Sequence, residues 1–358
     1  MSIEFGERVR RVPAYPQAAT YDFGGELVKL ASNETPFAPH PEVVEAIQSR
    51  LGTLNRYPDP DKGLLRKAIA NRYELTPGKV TVGNGSCEIL MTAGEALLEP
   101  GAEIVYAWPS FSVYPHLAAA SGARAIQVPL DDEGRHDLEA MAREVTHATR
   151  IVLVCNPNNP TATALTVEQI DAFVADLPRH VAVLVDEAYI EFSTLQDPDE
   201  SLQLLERHTN VVLLRTFSKV YGLCGLRVGY ALGSEDFRSA VDRLRQPFSV
   251  NSLAQAAAIE ALKHQDEVSA RVERTAIERL HVEEELAHRG LTTTDSEANF
   301  SWVSLGDRDE DKVVQGLTDR GVIVRAGRAL GGEGHLRVTY GTRPENDRFL
   351  AALDDVLK

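Results

Sequence analysis

Seven short apolar runs punctuate the first two thirds of the chain. They are KVTV (79–82), EIVYA (103–107), RAIQV (124–128), RIVLVC (150–155), VAVLVD (181–186), VVLLR (211–215) and VGYAL (228–232). Few of them alternate between apolar and polar residues. A strand with one wet face alternates, whereas a strand covered on both faces is apolar along its length. Helical patterns fill the gaps at 64–73, 86–98, 138–145, 166–176 and 236–245. This βαβ rhythm predicts an α/β domain whose mostly parallel seven-stranded sheet is covered by helices.

After residue 250 the texture changes. SLAQAAAIEALKHQDEVSARVERTAIERLHVEEELAHRG, rich in Ala, Glu and Arg and ending at Gly290, reads as one long helix. Shorter strands are expected at NFSWVSL, GVIVR and HLRVTYG, with helices at 309–320 and 345–357. At about 100–200 residues per domain, 358 residues accommodate two domains. The expected division is an N-terminal arm at 1–30, a large α/β domain at 31–250 and a small C-terminal α+β domain at 251–358, linked by the long helix.

Composition removes several classes of function. The net charge is −16 and no basic stripe is visible, so no nucleic-acid partner is expected. No apolar stretch approaches the length of a membrane span, and the N-terminus lacks the apolar core of a signal peptide. A cytoplasmic protein with no membrane partner is the expectation. Three scattered cysteines (Cys87, Cys155, Cys224) are too few for a disulfide framework or a zinc site. The ten histidines show no ligand spacing, so no metal is expected.

In open α/β sheets, ligands bind beyond the carboxyl ends of the strands. The residues just after each run are therefore the informative ones. After KVTV comes GNGSCEIL, where Gly83 and Gly85 permit a tight turn and Ser86 is a candidate N-cap. Backbone N–H groups at such a helix start can hold a phosphate. After EIVYA, Phe111 could stack on a flat ring, with Trp108 and Tyr114 as rivals. Asn156 opens the rigid turn NPNNPT at the end of its strand. Asp186 ends an apolar strand, where a carboxylate is costly unless it meets a cation or donors, and Tyr189 follows. Ser218 and Lys219 follow VVLLR, and Arg227 offers forked donors to a phosphate. Each feature has an ordinary structural explanation when taken alone. One cofactor, pyridoxal 5'-phosphate (PLP), accounts for them together. It needs a lysine for its aldehyde, an acid for its ring nitrogen, donors for its ring oxygen, a phosphate cup and an aromatic for its ring face.

The sequence resembles the fold-type I PLP-dependent aminotransferases, in particular the histidinol-phosphate aminotransferase family. NETP, YPDP, GNGS, NPNNPT, DEAYIEF, TFSK, GLRVGY and RVTYGTR carry the likeness from Ala31 to Leu350. The resemblance implies that Lys219 forms the Schiff base and shuttles protons, that Asp186 partners the ring nitrogen, and that Asn156 and Tyr189 donate to the ring oxygen. It assigns Ser218, Arg227 and the backbone of Ser86 and Cys87 to the phosphate cup, and Phe111 to the stacking aromatic. Tyr57 resembles a tyrosine reaching the partner subunit's cofactor, which implies a homodimer with shared active sites. Arg337 and Arg325 resemble the arginines holding the substrate's carboxylate or phosphate, with Asn33 and Tyr15 on the substrate side.

The chain departs from the family pattern at Cys87, where Asp is usual, and at Ala162, where Gly is usual. It also departs in PAYPQA, where Ala14 precedes Tyr15, and at Val220, where a small residue is common. The implied activity is transamination between L-histidinol phosphate and 2-oxoglutarate. Aromatic amino-acid aminotransfer and a threonine-phosphate-type decarboxylase or lyase are the alternatives.

Overall fold

The computed structural model describes residues 3–13 and 24–358. All seven apolar runs form strands of one sheet: β2 (Val80–Gly83), β3 (Glu103–Trp108), β4 (Arg124–Pro129), β5 (Thr149–Cys155), β6 (Ala182–Asp186), β7 (Val211–Thr216) and β8 (Gly229–Leu232). A short strand, β1 (Val28–Lys29), precedes them. The sheet order is β2-β8-β7-β6-β5-β3-β4. Every pairing is parallel except the two made by β8.

The lack of alternation has the expected cause. Val152, Val154, Val183 and Val185 point into the largest core cluster, while Ile151, Leu153 and Leu184 point into a separate cluster on the opposite face. Helices cover both faces, so consecutive residues of one strand are all buried.

The smaller sheet contains β9 (Thr292–Thr293), β10 (Phe300–Ser304), β12 (Arg325–Ala326) and β13 (His335–Thr339), in the order β12-β13-β10-β9. The expected strand GVIVR divides in two. β11 (Val322–Ile323) pairs with β1, and β12 pairs with β13.

Two other expectations change. The long helix is two helices, Ser252–Ala261 and Gln265–His288. Ala254, Ala257, Ala258 and Ala261 let the first pack closely in the large core. Asp266 and Glu267 then fall in the first turn of the second, where acids favour a new helix start. The expected boundaries at 30 and 250 do not follow the packing either. Val28 and Leu30 belong to the core of the smaller sheet, with Val282, Leu286 and Phe349, while Ala254–Leu262 belong to the large core. No helix among the described residues is long and apolar enough to cross a membrane.

Candidate active site

Strands β5, β6 and β7 are parallel neighbours whose carboxyl ends lie level, with Cys155 opposite Asp186 and Asp186 opposite Leu214. The residues that follow them therefore meet along one edge. They line a cavity of about 400 Å³ that holds Lys219, Asp186, Tyr189, Ser218, Arg227, Ser86, Cys87 and Phe111 together. A larger cavity of about 830 Å³, lined by Asp131, Glu133, Thr161, Trp302 and His335 among others, contains none of these.

The Lys219 amine donates to Ser32 O at 3.0 Å and lies 5.5 Å above the centre of the Tyr189 ring. Burial, with a further push from Arg337, lowers its pKa to about 8. The ammonium and the free amine therefore coexist near neutral pH.

Asp186 is 3% exposed. Its Oδ2 accepts from the Tyr114 hydroxyl at 3.1 Å, while its buried Oδ1 has no hydrogen-bond partner. Burial raises its pKa to about 6 against the pull of the Tyr114 bond. An unpartnered buried acceptor costs about 1–3 kcal/mol. A ring N–H cation in the cavity is the kind of group that would satisfy it. Tyr114, expected only as a rival stacking aromatic, holds the acid in place.

The residues expected to form the phosphate cup gather at the start of the helix Ser86–Leu97. Its N-cap is Gly85, at φ 78°, so Ser86 is the first helical residue rather than the cap. A Cβ on Gly85 would come within 2.6 Å of Arg227 Nη2, and one on Gly229 would collide with the Ser86 nitrogen. Only glycines allow the Ser86–Cys87 helix start, Arg227 and β8 to close around one space. Arg227 sits at φ 59°, and its Nη1 donates to Cys224 O at 2.9 Å and lies 3.5 Å from Ser218 Oγ. Helix N–H groups, a hydroxyl and a guanidinium converge as an anion site requires.

The turn after β5 corrects one assignment. Asn156 does not face the cavity. Its Oδ1 accepts from Leu165 N at 2.7 Å and its Nδ2 donates to Leu165 O at 3.0 Å, so both ends of the amide fasten the loop. Asn159 lines the cavity instead and accepts from Arg337 Nη1 at 2.6 Å. The turn then passes through Ala162 at φ 63°, a left-handed conformation that favours the glycine usual at this position. Its carbonyl accepts from Glu297 N.

The substrate-side residues divide. Arg337, 6% exposed, also donates to Ala31 O at 2.6 Å. It lies opposite Arg325 in the β12–β13 register, so the two buried guanidinium side chains share one face. Asn33 supports the wall rather than lining it. Its Nδ2 donates to Tyr189 Oη at 3.0 Å and its Oδ1 accepts from Thr339. Ser32 and Glu34 on either side line the cavity. Tyr57 is 82% exposed and stacks on Phe248, outside the cavity of its own chain. Tyr15 lies outside the described residues. All three cysteines line the cavity. Burial pushes the Cys155 thiol up to about 12 and raises Cys87, to which Asp186 adds.

Residues 25–353 match the family model "Aminotransferase class I and II". A histidinol-phosphate aminotransferase of Geobacillus thermodenitrificans is 40% identical over 98% of each chain. An aromatic amino acid aminotransferase of Cutibacterium acnes is 41% identical over the full length of both. Among solved structures, the histidinol-phosphate aminotransferase of Sinorhizobium meliloti in complex with pyridoxal-5'-phosphate superposes with a TM-score of 0.89. It is 28% identical and the match covers 100% of this chain and 98% of that one. The chain belongs to the class I and II aminotransferases and is a PLP-dependent enzyme of fold type I.

Proposed function

We propose that this aminotransferase passes an amino group between L-histidinol phosphate and 2-oxoglutarate, with PLP in the Lys219 cavity. The observation that carries the cofactor assignment is the unpartnered Asp186 Oδ1, buried on the same cavity as the Lys219 amine. PLP, when bound, supplies an aldehyde that captures amines and a ring that accepts electrons.

The chain's own residues do the rest. Arg227, Ser218 and the N–H groups of Ser86 and Cys87 hold the phosphate. Phe111 and Ala188 bound the ring space. Asp186 keeps a proton on the ring nitrogen, and Tyr114 fixes the orientation of that carboxylate. Tyr189, steadied by Asn33, and Asn159 stand at the ring-oxygen side. Lys219, with a pKa of about 8, can accept and return the substrate's α-proton at its Nζ.

Arg337 and Arg325 lie in register on one face. Two guanidinium groups on one face can converge on a single anion by forked hydrogen bonds. The same pair can take a glutamate carboxylate in one half-reaction and a phosphate in the other.

A homodimer fits the surface. Leu51, Leu54, Tyr57, Leu64 and Phe248 are large apolar side chains left exposed around the YPDP segment. In a dimer this surface would be covered, and Tyr57 would face the partner subunit's cofactor. Sedimentation of a single species at the monomer mass would exclude it.

A second reading, transfer from aromatic amino acids, is favoured by the relative that is 41% identical over its full length. The deciding measurement compares kcat/KM for histidinol phosphate, phenylalanine and tyrosine, each with 2-oxoglutarate. The proposal requires histidinol phosphate to lead by at least about tenfold. A lead for either aromatic amino acid overturns it in favour of the second reading.

A further inference from the structure

We propose that Arg271 is a positioning residue for the Lys219 amine, acting from the helix Gln265–His288 by gripping both of the segments between which that amine is held. The inference rests on the reading of Lys219 as the cofactor-binding lysine. It concerns a residue that neither the strand-end motifs nor the cavity lining singles out.

Two backbone segments define where the amine sits. One is the turn that carries Lys219 itself, closed by Gly222 N donating to Lys219 O at 3.0 Å. The other is the segment 32–38, whose Ser32 carbonyl accepts from the amine. Arg271 holds both. Its Nη1 donates to Val220 O at 2.9 Å, and its Nη2 donates to Ala38 O at 2.6 Å. Its Nε donates to Glu267 Oε1 at 2.9 Å, one turn earlier on its own helix, which sets the plane of the fork. The side chain is almost wholly buried, so water does not replace these bonds cheaply.

The packing at this junction is tight as well as bonded. Gly222 lies at φ 70°, and a Cβ there would sit 3.0 Å from Arg271 Nη1, 3.1 Å from Thr35 Cγ2 and 3.3 Å from Phe37 O. The turn, the 32–38 segment and the guanidinium therefore touch at one point. Arg274, on the same helix, places its guanidinium 4.4 Å above the Phe37 ring as a second hold on the segment. The amine-to-carbonyl distance at Lys219 is thus fixed from the far side of both segments by one planar, rigid group. Lysine at position 271 would offer a point charge without the fork.

The test separates positioning from mere support. Cofactor-loaded wild type, Arg271→Met, Arg271→Lys and Val282→Ala are titrated from pH 5 to 10 while the visible absorbance band is followed. Stability, cofactor content and kcat are measured in parallel. Val282 is buried on the same helix but packs in the smaller domain's core. Its truncation loosens the helix without touching either segment.

The expected result is a midpoint displaced by at least about 0.5 pH unit in Arg271→Met. Its kcat should be about tenfold or more below wild type with full cofactor content. Arg271→Lys should show a smaller displacement in the same direction, and it decides the question where Arg271→Met fails to fold. Val282→Ala should lose stability with its midpoint unmoved. A wild-type midpoint in both Arg271 variants, or an equal displacement in Val282→Ala, overturns the proposal. A wild type with no visible band overturns the cofactor reading itself, and is thereby told apart from a band that ignores Arg271.

Discussion

Replacing Asn156 with Ala and, separately, Asn159 with Ala should separate stability from activity in two residues of one turn. Asn156 is 4% exposed and Leu165 is 6% exposed. The Asn156 amide satisfies both the N–H and the C=O of Leu165. Truncation leaves two buried backbone groups without those partners, at about 1–2 kcal/mol each once some water penetrates, or about 2–4 kcal/mol together. At about 2.1 cal/mol/K per residue, 358 residues unfold with about 0.75 kcal/mol/K, so Tm should fall by about 3–5 °C. The residual kcat/KM of folded Asn156→Ala should stay within about threefold of wild type, because the side chain does not reach the cavity.

Asn159→Ala removes a cavity-wall amide and the acceptor of Arg337 Nη1. Its Tm should fall by no more than that of Asn156→Ala, since one buried donor rather than two backbone groups loses its partner, while kcat/KM falls by about a hundredfold, the usual loss for one preorganised polar group at a reacting centre. Thermal melts of the cofactor-loaded proteins and steady-state rates below Tm decide the matter. Asn156→Ala with an intact Tm and a collapsed kcat/KM would refute the reasoning, since it would make Asn156 the residue that acts on the ligand.

Three further outcomes follow from the geometry. Glu187→Ala should lower stability by about 3 kcal/mol in urea titrations. It leaves the Arg215 guanidinium buried without its 2.8 Å partner, although Asp199 continues to pair with it. Gly229→Ala should weaken PLP binding by about tenfold or more in a fluorescence titration, because the new methyl group drives against the Ser86 nitrogen; an unchanged Kd would contradict the cup as described. The rate at which apoenzyme captures PLP should rise with pH and level off above about 8. The neutral amine is the nucleophile, and a pKa lowered from 10.5 means it is half-formed at that pH. A rate still climbing at pH 10 would show an unshifted lysine.

Much of the framework was legible because periodicity reports burial directly. Each of the seven apolar runs became a strand, and the residues after β6 and β7 fell where open-sheet topology puts a ligand. What escaped was set by contacts that no local pattern contains. Three asparagines stand within NPNNPT, and the one touching the strand end was the natural choice. The turn instead spends that residue on its own backbone and presents Asn159. Tyr114 reaches Asp186 from a helix that the apolar spacing did not reveal, since YPHLAAAS is short and apolar on most sides. The break at 262–264 interrupts a segment that is locally all helix former, and it follows from the first half packing into one core and the second half bridging two. Arg271 carried no signal at all, because an arginine on a charged helix looks like a solvated one until its buried partners are known.

The oxygen of Asp186 that meets no donor also bears on how much enzyme a cell keeps. A fold that buries an acceptor for a group it does not itself supply is at its weakest before that group arrives. On the proposed reading, PLP binds the folded chain and not the unfolded one, so every increment of free PLP above its Kd adds to stability. Cellular proteases act on the unfolded fraction, and a difference of about 1–2 kcal/mol changes abundance several-fold. The supply of PLP would then set the amount of this protein as well as its activity.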